Sequence, residues 1–340
     1  MSAGVATSKP TILIAHWAGL RFFTDPDLAQ IAAVGTVLDD EPIGDWDDPR
    51  ADALLAEADV ILGHWGCPPI GAAVIERAPR LGLFAYAAGT LKEVVTDALF
   101  DRGVRVTSGA PANAEPVAEF TLAAILFAGK DVLWQRDALR DRAIRDHRQR
   151  SSIPVGNWDK TIGIVGASLV GRRVLELLAP FPQLRPILFD PFVTADEAAA
   201  MGATKVELDE LCATADVVSI HAPDLPSTYH LIGADQLALL RTGATFINTA
   251  RGALVDHDAL VVEAESGRLY LVLDVTDPEP LPRENPLRTL PNVFLTPHLA
   301  GSQGTELARM AIDAADEIDR WAHGRPARNQ IHREQLGRLA

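Results

Sequence analysis

A short glycine-containing segment, Gly166 to Gly171, is the first part of the sequence that suggests a chemical task. It follows an apolar run that ends at Val165, and an amphipathic pattern begins directly after it. In a dinucleotide-binding turn the first glycine permits the bend and the last packs the helix closely on the strand. A small middle residue, here Ser168, lets the pyrophosphate reach backbone amides at the helix N-terminus. The predicted phosphate-binding residues are Gly166, Ser168, Leu169, Val170 and Gly171.

An acidic residue at the end of the next predicted strand adds to this pattern. Asp190 lies 19 residues after Gly171. A carboxylate there accepts hydrogen bonds from the adenosine ribose hydroxyls and repels the 2′-phosphate of NADP. Each feature has a structural alternative. An ordinary helix start would look similar to the glycine turn. Asp190 could be a solvated aspartate in a turn, because a proline follows it. The succession of strand, turn, helix, strand and acid favours NAD as the cofactor.

The overall charge argues against several classes of partner. The 340-residue chain has 31 Lys and Arg against 46 Asp and Glu, a formal net charge of −15. Such a surface repels phosphate backbones and anionic lipid, so we expect neither nucleic acid nor a membrane as partner. A small acidic substrate would need a local positive group, which makes individual arginines informative.

Cysteine usage and the apolar runs indicate a compartment. Cys67 and Cys212 lie far apart and form neither a CxxC nor a zinc-ligand pattern, so we expect no metal and a reducing environment. No apolar run approaches the ~20 residues of a membrane helix. Met1–Pro10 lacks the basic-then-apolar arrangement of a signal peptide and is predicted to be a disordered leader. These features predict a cytoplasmic protein.

Strand and helix patterns alternate along nearly the whole chain. Continuous apolar strands between helices predict parallel sheets that are buried on both faces, so the fold class is α/β. Helical periodicity covers Val170–Ala179, Asp256–Gly267 and Gln303–Trp321. The predicted strands are Thr11–Ala15, Asp59–Leu62, Leu81–Ala85, Val104–Thr107, Thr161–Val165, Pro186–Phe189, Val217–Ile220, Ala244–Asn248, Tyr270–Asp274 and Val293–Thr296.

One long helical pattern separates two α/β regions. It extends from Asn113 to about Arg142, and a polar break follows at Arg148–Asn157. The chain length suits two compact domains. The terminal helix from Ser302 onward is placed to return to the first domain, which would make that domain discontinuous.

Four further segments, in order, resemble the D-isomer-specific 2-hydroxyacid dehydrogenase family. The stretch at residues 112–119 is similar to the start of that family's long interdomain and dimer helix, and the resemblance covers about Arg102 to Gly301. Four ordered motifs are far more specific than the glycine turn. The four segments are Ala215-Asp-Val-Val-Ser-Ile-His-Ala-Pro223, Phe246-Ile-Asn-Thr-Ala-Arg-Gly-Ala-Leu-Val255, Leu273-Asp-Val-Thr-Asp-Pro-Glu-Pro-Leu281 and Asn292-Val-Phe-Leu-Thr-Pro-His-Leu-Ala-Gly301.

The resemblance implies two doubly wound parallel-sheet domains. A Rossmann coenzyme domain, at residues 112–301, would be inserted in a flavodoxin-like substrate domain formed by residues 1–111 and 302–340. The family resemblance also implies a homodimer and a small 2-keto or 2-hydroxy acid as substrate.

The resemblance places the catalytic arginine at Arg251, the acid–base histidine at His298 and its carboxylate partner at Glu279. A guanidinium binds a carboxylate and the adjacent carbonyl in its planar fork, and histidine exchanges protons near neutral pH. Each residue has a structural alternative. Arg251 can cap carbonyls at a turn, His298 can be an ordinary loop residue, and Glu279 can be solvated charge between two prolines.

The resemblance also brings further residues to the coenzyme crevice. Asp274, at a strand end, supports a loop or the cofactor side of the site. Asn113 begins the long helix and either reaches the ligands or only caps the helix. The remaining candidates for cofactor contact are His221, Ala222, Pro223, Thr249 and Ala250.

The predicted substrate loops depart from the family pattern. Where the family commonly has Gly-Val-Gly-Tyr-Asp, this chain has Ala88-Gly89-Thr90-Leu91-Lys92. Backbone amides of Ala88, Gly89 and Thr90 can still receive a carboxylate, because that contact depends on backbone shape. Trp65 puts a large aromatic ring where substrate side chains should pack, although ordinary core packing explains it equally well. The sequence therefore predicts no particular substrate.

Three other functions share this fold. A formate dehydrogenase matches the pattern less well at Glu279, and a phosphoglycerate dehydrogenase would need extra cationic residues for its phosphate. An NAD(H)-sensing corepressor that binds short peptides is the alternative from another class. The set Arg251, Glu279 and His298 favours an enzyme: an NAD-dependent 2-hydroxyacid dehydrogenase that acts on CH–OH donors.

Overall fold

A computed structural model of the chain describes residues 9–135 and 154–337. The chain forms two compact units: a first unit of Met1–Asn113 with Ser302–Ala340, and a second unit of Ala114–Gly301. Three predictions fall partly or wholly outside the described residues: most of the leader Met1–Pro10, the helix from residue 136 to Arg142, and the break from Arg148 to residue 153.

The first unit is built on a six-stranded sheet with the strand order β13-β5-β4-β3-β1-β2. Strands β1 to β5 pair in parallel and β13 runs antiparallel on one edge. The parallel part has the doubly wound 2-1-3-4-5 order of flavodoxin-like folds. Its strands are β1 (Thr11–Ala15), β2 (Thr36–Val37), β3 (Val60–Gly63), β4 (Leu83–Tyr86), β5 (Arg105–Ser108) and β13 (Gln330–Ile331).

Helices cover both faces of this sheet, which explains why its strands are apolar throughout. One face packs a core around Leu13, Ile61 and Phe84, and the other packs Ile12 and Ile14 against the last long helix. The helices are α1 (Asp25–Val34), α2 (Ala51–Glu57), α3 (Ala72–Arg77), α4 (Asp97–Asp101), α11 (Leu307–Ala322) and α12 (Arg333–Leu336), with a 3₁₀ turn at Gly304–Glu306.

The second unit has a seven-stranded parallel sheet in the order β12-β11-β10-β9-β6-β7-β8. This is the doubly wound Rossmann order, with the chain reversing direction across the sheet between β6 and β9. Its strands are β6 (Lys160–Val165), β7 (Leu184–Phe189), β8 (Thr204–Lys205), β9 (Val217–Ile220), β10 (Thr245–Asn248), β11 (Tyr270–Leu273) and β12 (Val293–Leu295).

Two apolar cores flank this second sheet. One is centred on Ile162, Ile164 and Val272, and the other on Val218, Phe246 and Leu271. The predicted fold class, α/β with two doubly wound parallel sheets, is therefore confirmed. The helices of this unit are α6 (Leu169–Leu178), α7 (Ala195–Ala200), α8 (Leu208–Thr214), α9 (Ala234–Leu239) and α10 (His257–Glu265), with 3₁₀ turns at Gly252–Leu254 and Pro286–Arg288.

The predicted long helix is shorter than its sequence pattern. Helix α5 extends from Ala110 to Gly129, across the boundary of the two units, and does not continue as one helix through Asp131. Asp131 adopts the left-handed conformation with φ 54°, and the amides of Lys130 and Asp131 bond carbonyls only three residues earlier. A left-handed residue ends a regular α-helix, and apolar periodicity alone does not reveal it.

Candidate active site

The turn after β6 has the geometry that a phosphate-binding turn requires. Gly166 has φ 96°, and a Cβ on it would lie 2.7 Å from the amide nitrogen of Ala222. A Cβ on Gly171 would lie 2.1 Å from the carbonyl oxygen of Gly166. Ser168 is the N-cap of α6 and its Oγ accepts a hydrogen bond from the amide of Gly171 at 3.4 Å. Both glycines are thus required by shape, and the helix begins at the predicted position.

Asp190 lies immediately after β7 and is tied to this turn. Its Oδ2 accepts a bond from the amide of Ala167 and its Oδ1 one from the amide of Phe192, each at 2.8 Å. Each carboxylate oxygen has two lone pairs, so these bonds leave acceptor capacity for ribose hydroxyls. The aspartate therefore holds the turn in shape in addition to any role toward a nucleotide.

His221 follows β9, beside the glycine turn. Its ring is buried, Nε2 is 2.9 Å from Ser219 Oγ, and Nδ1 has no hydrogen-bond partner among the described residues. Burial lowers the pKa of His221 to about 3, so the ring is neutral. The tight glycines, the helix N-terminus and this buried, unsatisfied nitrogen fit a bound dinucleotide. Ala222 is buried and Pro223 is half-buried beside it.

A fully buried asparagine shapes the turn that carries Arg251. Asn248 ends β10; its Oδ1 accepts from the amide of Ala250 at 3.0 Å and its Nδ2 donates to the carbonyl of Arg251 at 2.8 Å. The neighbouring Thr249 hydroxyl lies 3.0 Å from that of Thr121 on α5. These bonds fix the backbone from which the guanidinium projects.

Arg251 has an environment unusual for an arginine. Its Nη1 donates to the carbonyl of Ala250 at 2.6 Å. Burial lowers the pKa of Arg251, while the charges of Asp224 and Glu279 act in the opposite direction. A guanidinium stays charged under such conditions. Arg251 is thus a partly desolvated cation, which binds a carboxylate more strongly than an exposed one would.

The turn of Arg251 and the loop of Glu279 are in close contact. A Cβ on Gly252 would lie 2.1 Å from the carbonyl carbon of Thr276, so only glycine fits there. His257, the first residue of α10, strengthens the contact: its Nδ1 bonds the carbonyl of Val255 at 3.1 Å and its Nε2 accepts from the amide of Asp277 at 3.2 Å. Burial lowers the pKa of His257, which keeps Nε2 free to accept.

Asp274 holds the loop that carries His298. Its Oδ1 accepts from the amide of Leu299 at 2.8 Å and from the hydroxyl of Thr296 at 2.6 Å, and its Oδ2 accepts from the amide of Ala300 at 2.8 Å. The carbonyl of Asp274 also accepts from the amide of His298 at 2.9 Å. Of the two roles considered for Asp274, these bonds favour support of the loop.

His298 and Glu279 form a direct pair. Nδ1 of His298 lies 2.7 Å from Oε1 of Glu279, and both side chains are about half exposed, 48% and 42%. His298 has φ 54°, a strained conformation for a residue other than glycine. The bonds from Asp274 compensate for that strain. The pair leaves Nε2 as the ring nitrogen available to a ligand.

The predicted substrate loops belong to the first unit. Ala88, Gly89 and Thr90 follow β4, and the Ser108 hydroxyl fixes this loop by donating to the carbonyl of Gly89 at 3.2 Å. Asn113 lies on α5, inside the helix and not at its start; its Oδ1 accepts from the amide of Ser302 at 2.9 Å, so it caps neither end of α5. Trp65 follows β3 and is half-buried.

Sequence reasoning missed Asn248, Gly252 and His257. Asn248 and Gly252 lie inside the quoted motif around Arg251, but nothing in their types reveals which backbone they contact. His257 acts on a residue 20 positions away, so only the fold shows its role. Within residues 9–135 and 154–337, no cluster of histidine, cysteine and acidic side chains could hold a metal ion, and no helix is long and apolar enough to span a bilayer.

Known proteins are similar to this chain in sequence and in fold. Residues 122–300 match the NAD-binding domain of D-isomer-specific 2-hydroxyacid dehydrogenases. A D-3-phosphoglycerate dehydrogenase of Methanocaldococcus jannaschii is 32% identical over 84% of this chain and 55% of its own length. Glyoxylate/hydroxypyruvate reductase B of Yersinia enterocolitica is 31% identical over 83% of this chain and 86% of its own length. The pyruvate reductase of Chlamydomonas reinhardtii is 25% identical with a TM-score of 0.73, covering 96% of this chain and all of that structure.

These matches establish that the chain belongs to the D-isomer-specific 2-hydroxyacid dehydrogenase family and that its second unit is an NAD-binding domain. NAD is therefore its cofactor. The chain spans about half the length of the D-3-phosphoglycerate dehydrogenase that it matches.

Proposed function

We propose that the chain is an NAD-dependent D-2-hydroxyacid dehydrogenase that interconverts a 2-keto acid and the corresponding 2-hydroxy acid. The observation that carries the proposal is the 2.7 Å contact of His298 with Glu279, on a loop fixed by Asp274. A carboxylate on Nδ1 orients the ring and leaves Nε2 to exchange a proton with a ligand. Residues in strained backbone conformations, such as His298 with φ 54°, cluster at active sites and ligand-binding sites.

The residues then divide the reaction between them. Arg251 binds the substrate carboxylate and the adjacent carbonyl through its planar fork. When bound, NADH supplies the hydride that converts C2 from a carbonyl to a CH–OH carbon. His298 donates its proton to the C2 oxygen in reduction and removes it in oxidation, while Glu279 holds the ring. Backbone amides of Ala88, Gly89 and Thr90 are proposed to add contacts to the carboxylate.

The direct test is turnover of a panel of 2-keto acids with NADH: glyoxylate, hydroxypyruvate, pyruvate, and branched and aryl forms. Reduction needs protonated His298 and oxidation needs the neutral ring. The reductive kcat/KM should fall as pH rises, and the oxidative one should fall as pH drops. Glu279→Gln removes a negative charge beside the ring, so we expect both profiles to move to lower pH. Unmoved profiles, or no turnover of any member of the panel, would contradict the proposal.

Arg251→Ala should act differently from changes at His298. It should impair recognition and orientation of the keto acid but leave NADH binding, measured by fluorescence titration, nearly unchanged. Equal loss of NADH binding would place the guanidinium at the coenzyme instead.

Coenzyme preference should follow Asp190. We propose that its carboxylate disfavours the 2′-phosphate, so kcat/KM with NADH should exceed that with NADPH. Because Asp190 also accepts from the amide of Ala167, Asp190→Asn is a better probe than alanine: it keeps an acceptor oxygen and removes the charge. Asp190→Asn should reduce the ratio of kcat/KM with NADH to kcat/KM with NADPH. A higher kcat/KM with NADPH in the unmodified protein would disprove this role.

We further propose a cytoplasmic homodimer built through α5. Phe120, Leu122 and Leu126 are only partly buried on this helix and Phe127 is 47% exposed, although the segment is apolar. Such an apolar surface favours a second protein chain. The free thiols Cys67 and Cys212 suit a reducing compartment. Light scattering at micromolar concentration should give twice the 36.5 kDa chain mass; the monomer mass would contradict the dimer.

A further inference from the structure

Aromatic and imidazole rings gather at the carboxyl ends of β1 and β3 in the first unit. The ring of Phe22 stacks on that of His64, with centroids 4.1 Å apart and an interplanar angle of 9°. The Phe22 ring also meets the Trp65 ring edge-on at 5.9 Å. We call this group the aromatic cluster; its members are His16, Trp17, Phe22, His64 and Trp65.

The aromatic cluster is uncharged near neutral pH. Burial lowers the pKa of His64 to about 3 and lowers that of His16 as well. The basic side chain adjacent in sequence, Arg21, pairs with Asp25 and donates through Nε to the carbonyl of Phe23 at 3.3 Å. The surface that these rings form is therefore apolar, with no charge of its own at pH 7.

Parts of the aromatic cluster are open. The Trp17 side chain is 54% exposed, and Phe22 and Trp65 are only half-buried. His64 is fully buried; its Nδ1 accepts from the amide of Trp65 at 2.8 Å, so Nε2 carries the hydrogen, and this nitrogen has no partner among the described residues. A ring group that served only the core would bury its large faces and satisfy its polar atoms.

Strand order puts the aromatic cluster beside the loop proposed to receive the substrate carboxylate. That loop, Ala88 to Thr90, follows β4, and β3 lies between β4 and β1 in the sheet. Trp65 packs against the cores that contain Ala87 and Ala88. Open α/β sheets bind ligands outside the carboxyl ends of their strands. A keto acid with its carboxylate on this loop would therefore meet the rings with its side chain.

We propose that the aromatic cluster is the binding site for the substrate side chain and selects 2-keto acids with an uncharged, aromatic-sized apolar group. This inference rests on the proposed dehydrogenase function and names its substrate class. Apolar rings gain from contact with another ring, whereas a phosphate or carboxylate would lose its hydration there. The chain thus differs in selectivity from what the name of its phosphoglycerate dehydrogenase relative suggests.

The test compares kcat/KM for three keto acids with NADH: phenylpyruvate, pyruvate and 3-phosphohydroxypyruvate. We expect phenylpyruvate to exceed pyruvate by about 10-fold or more, since apolar pockets discriminate over roughly that range, and phosphohydroxypyruvate to be the poorest. Phe22→Ala should lower kcat/KM for phenylpyruvate by about 10-fold and kcat/KM for pyruvate by less, so the ratio of the two values should fall. Trp17→Ala, at a more exposed position, should act in the same direction if Phe22→Ala does not fold. Trp158→Ala, an exposed tryptophan just before β6, is the matched control and should change neither value.

Several outcomes would overturn the inference and leave the dehydrogenase intact. These are equal values for phenylpyruvate and pyruvate, an unchanged ratio in Phe22→Ala and Trp17→Ala, or a preference for phosphohydroxypyruvate that Lys92→Ala abolishes. Titration calorimetry with D-phenyllactate needs no turnover. Phenyllactate binding that weakens in Phe22→Ala would support the aromatic cluster as a binding site, even if the protein reduces no keto acid. Absence of any reduction would instead refute the proposed dehydrogenase function. No measurable phenyllactate binding would refute the inference itself.

Discussion

The two sheets of this protein present very different surfaces at the carboxyl ends of their strands. In the second unit these ends carry Asn248, Arg251 and Asp274, whose polar atoms are engaged in directed hydrogen bonds. In the first unit they carry the neutral rings of the aromatic cluster, held mainly by packing. Doubly wound topology exposes strand ends in both units, so the difference comes from the residues placed there.

That difference matches two separate requirements of an enzyme. Proton transfer needs groups held within a few tenths of an ångström, and only directed bonds from buried partners provide such precision. Selection of an apolar group needs area and shape, which rings provide without charge. Substitutions in the second unit should therefore affect the rate of chemistry, and those in the aromatic cluster should affect the choice of substrate.

The largest effect should follow His298→Ala. The change removes the proposed proton donor and should lower kcat by roughly 10²–10⁴ for every accepted keto acid. Phe22→Leu, which keeps apolar volume but removes the ring, should leave kcat for pyruvate nearly unchanged. The measurement is steady-state kcat of both variants and the parent protein. Pre-steady-state kinetics should confirm that chemistry limits turnover. A near-normal kcat in His298→Ala would mean that another group delivers the proton.

A substantial loss should also follow Asp274→Ala. The change leaves the Leu299 and Ala300 amides and the Thr296 hydroxyl without their acceptor. The Ala300 amide is buried, and an unsatisfied buried donor costs about 1–3 kcal/mol, whereas the two partly buried groups should cost less. We expect the free energy of unfolding to fall by about 3 kcal/mol and kcat to fall at least about 10-fold, because the His298 loop loses its support.

Asp274→Asn keeps the shape and one acceptor oxygen, so urea denaturation should place it between the alanine variant and the parent protein. Asp235→Ala, at an exposed position in the first turn of α9, is the control and should have little effect. Normal kcat in an Asp274→Ala protein that remains folded would show that His298 does not depend on this support.

Acid should destabilise both units through their buried histidines. His64 and His221 have pKa values lowered to about 3, whereas an unfolded histidine titrates near 6.5. Between these values the unfolded chain binds the extra proton, so stability is lost as pH falls below about 6.5. By pH 5 each of the two rings should lower the free energy of unfolding by about 2 kcal/mol. His64→Phe should reduce the difference in unfolding free energy between pH 7.5 and pH 5 by that amount; an unchanged difference would show that His64 is protonated in the folded protein.

Much of the fold could be predicted from sequence because burial on both faces produces continuous apolar strands. All ten predicted strands are present, and β1 and β9 have the predicted bounds. The three missed strands, β2, β8 and β13, have two residues each and lie toward the sheet edges, where pairing depends on the neighbouring strand. The predicted end of the long helix, near Arg142, is wrong. The left-handed conformation of Asp131 interrupts the helix and leaves no trace in the apolar periodicity.

The proposed catalytic pair could be predicted from the sequence, but the contacts that hold it in place could not. The pairing of Glu279 with His298 was inferred by resemblance, and the structure shows the two side chains in contact. Contacts between segments distant in sequence, such as Asp274 with the amides of Leu299 and Ala300, could not be derived from residue types. A carboxylate suits a ligand and a loop amide equally well, so only the fold separates the two roles.

The smallest effect we predict concerns His257, which belongs to neither the pair nor the coenzyme turn. Its neutral ring links the carbonyl of Val255 to the amide of Asp277, two residues before Glu279. His257→Ala removes this link, so the Glu279 carboxylate should be less well held. We expect kcat to fall by about 3- to 10-fold, less than for a direct proton donor.

Lower activity in His257→Ala could come from a general loss of stability or from a misplaced Glu279. The pH profile separates these two explanations, because a general loss of stability would lower activity without moving the profile. If the ring positions Glu279, the reductive kcat/KM profile should shift to lower pH, in the direction of Glu279→Gln but by less, because a displaced carboxylate favours protonated His298 less strongly. His257→Gln supplies an acceptor oxygen for the Asp277 amide and should restore part of the profile. In the double variant, His257→Ala should add no shift to that already produced by Glu279→Gln alone. Additive shifts would mean that His257 acts on the proton transfer by a route other than Glu279.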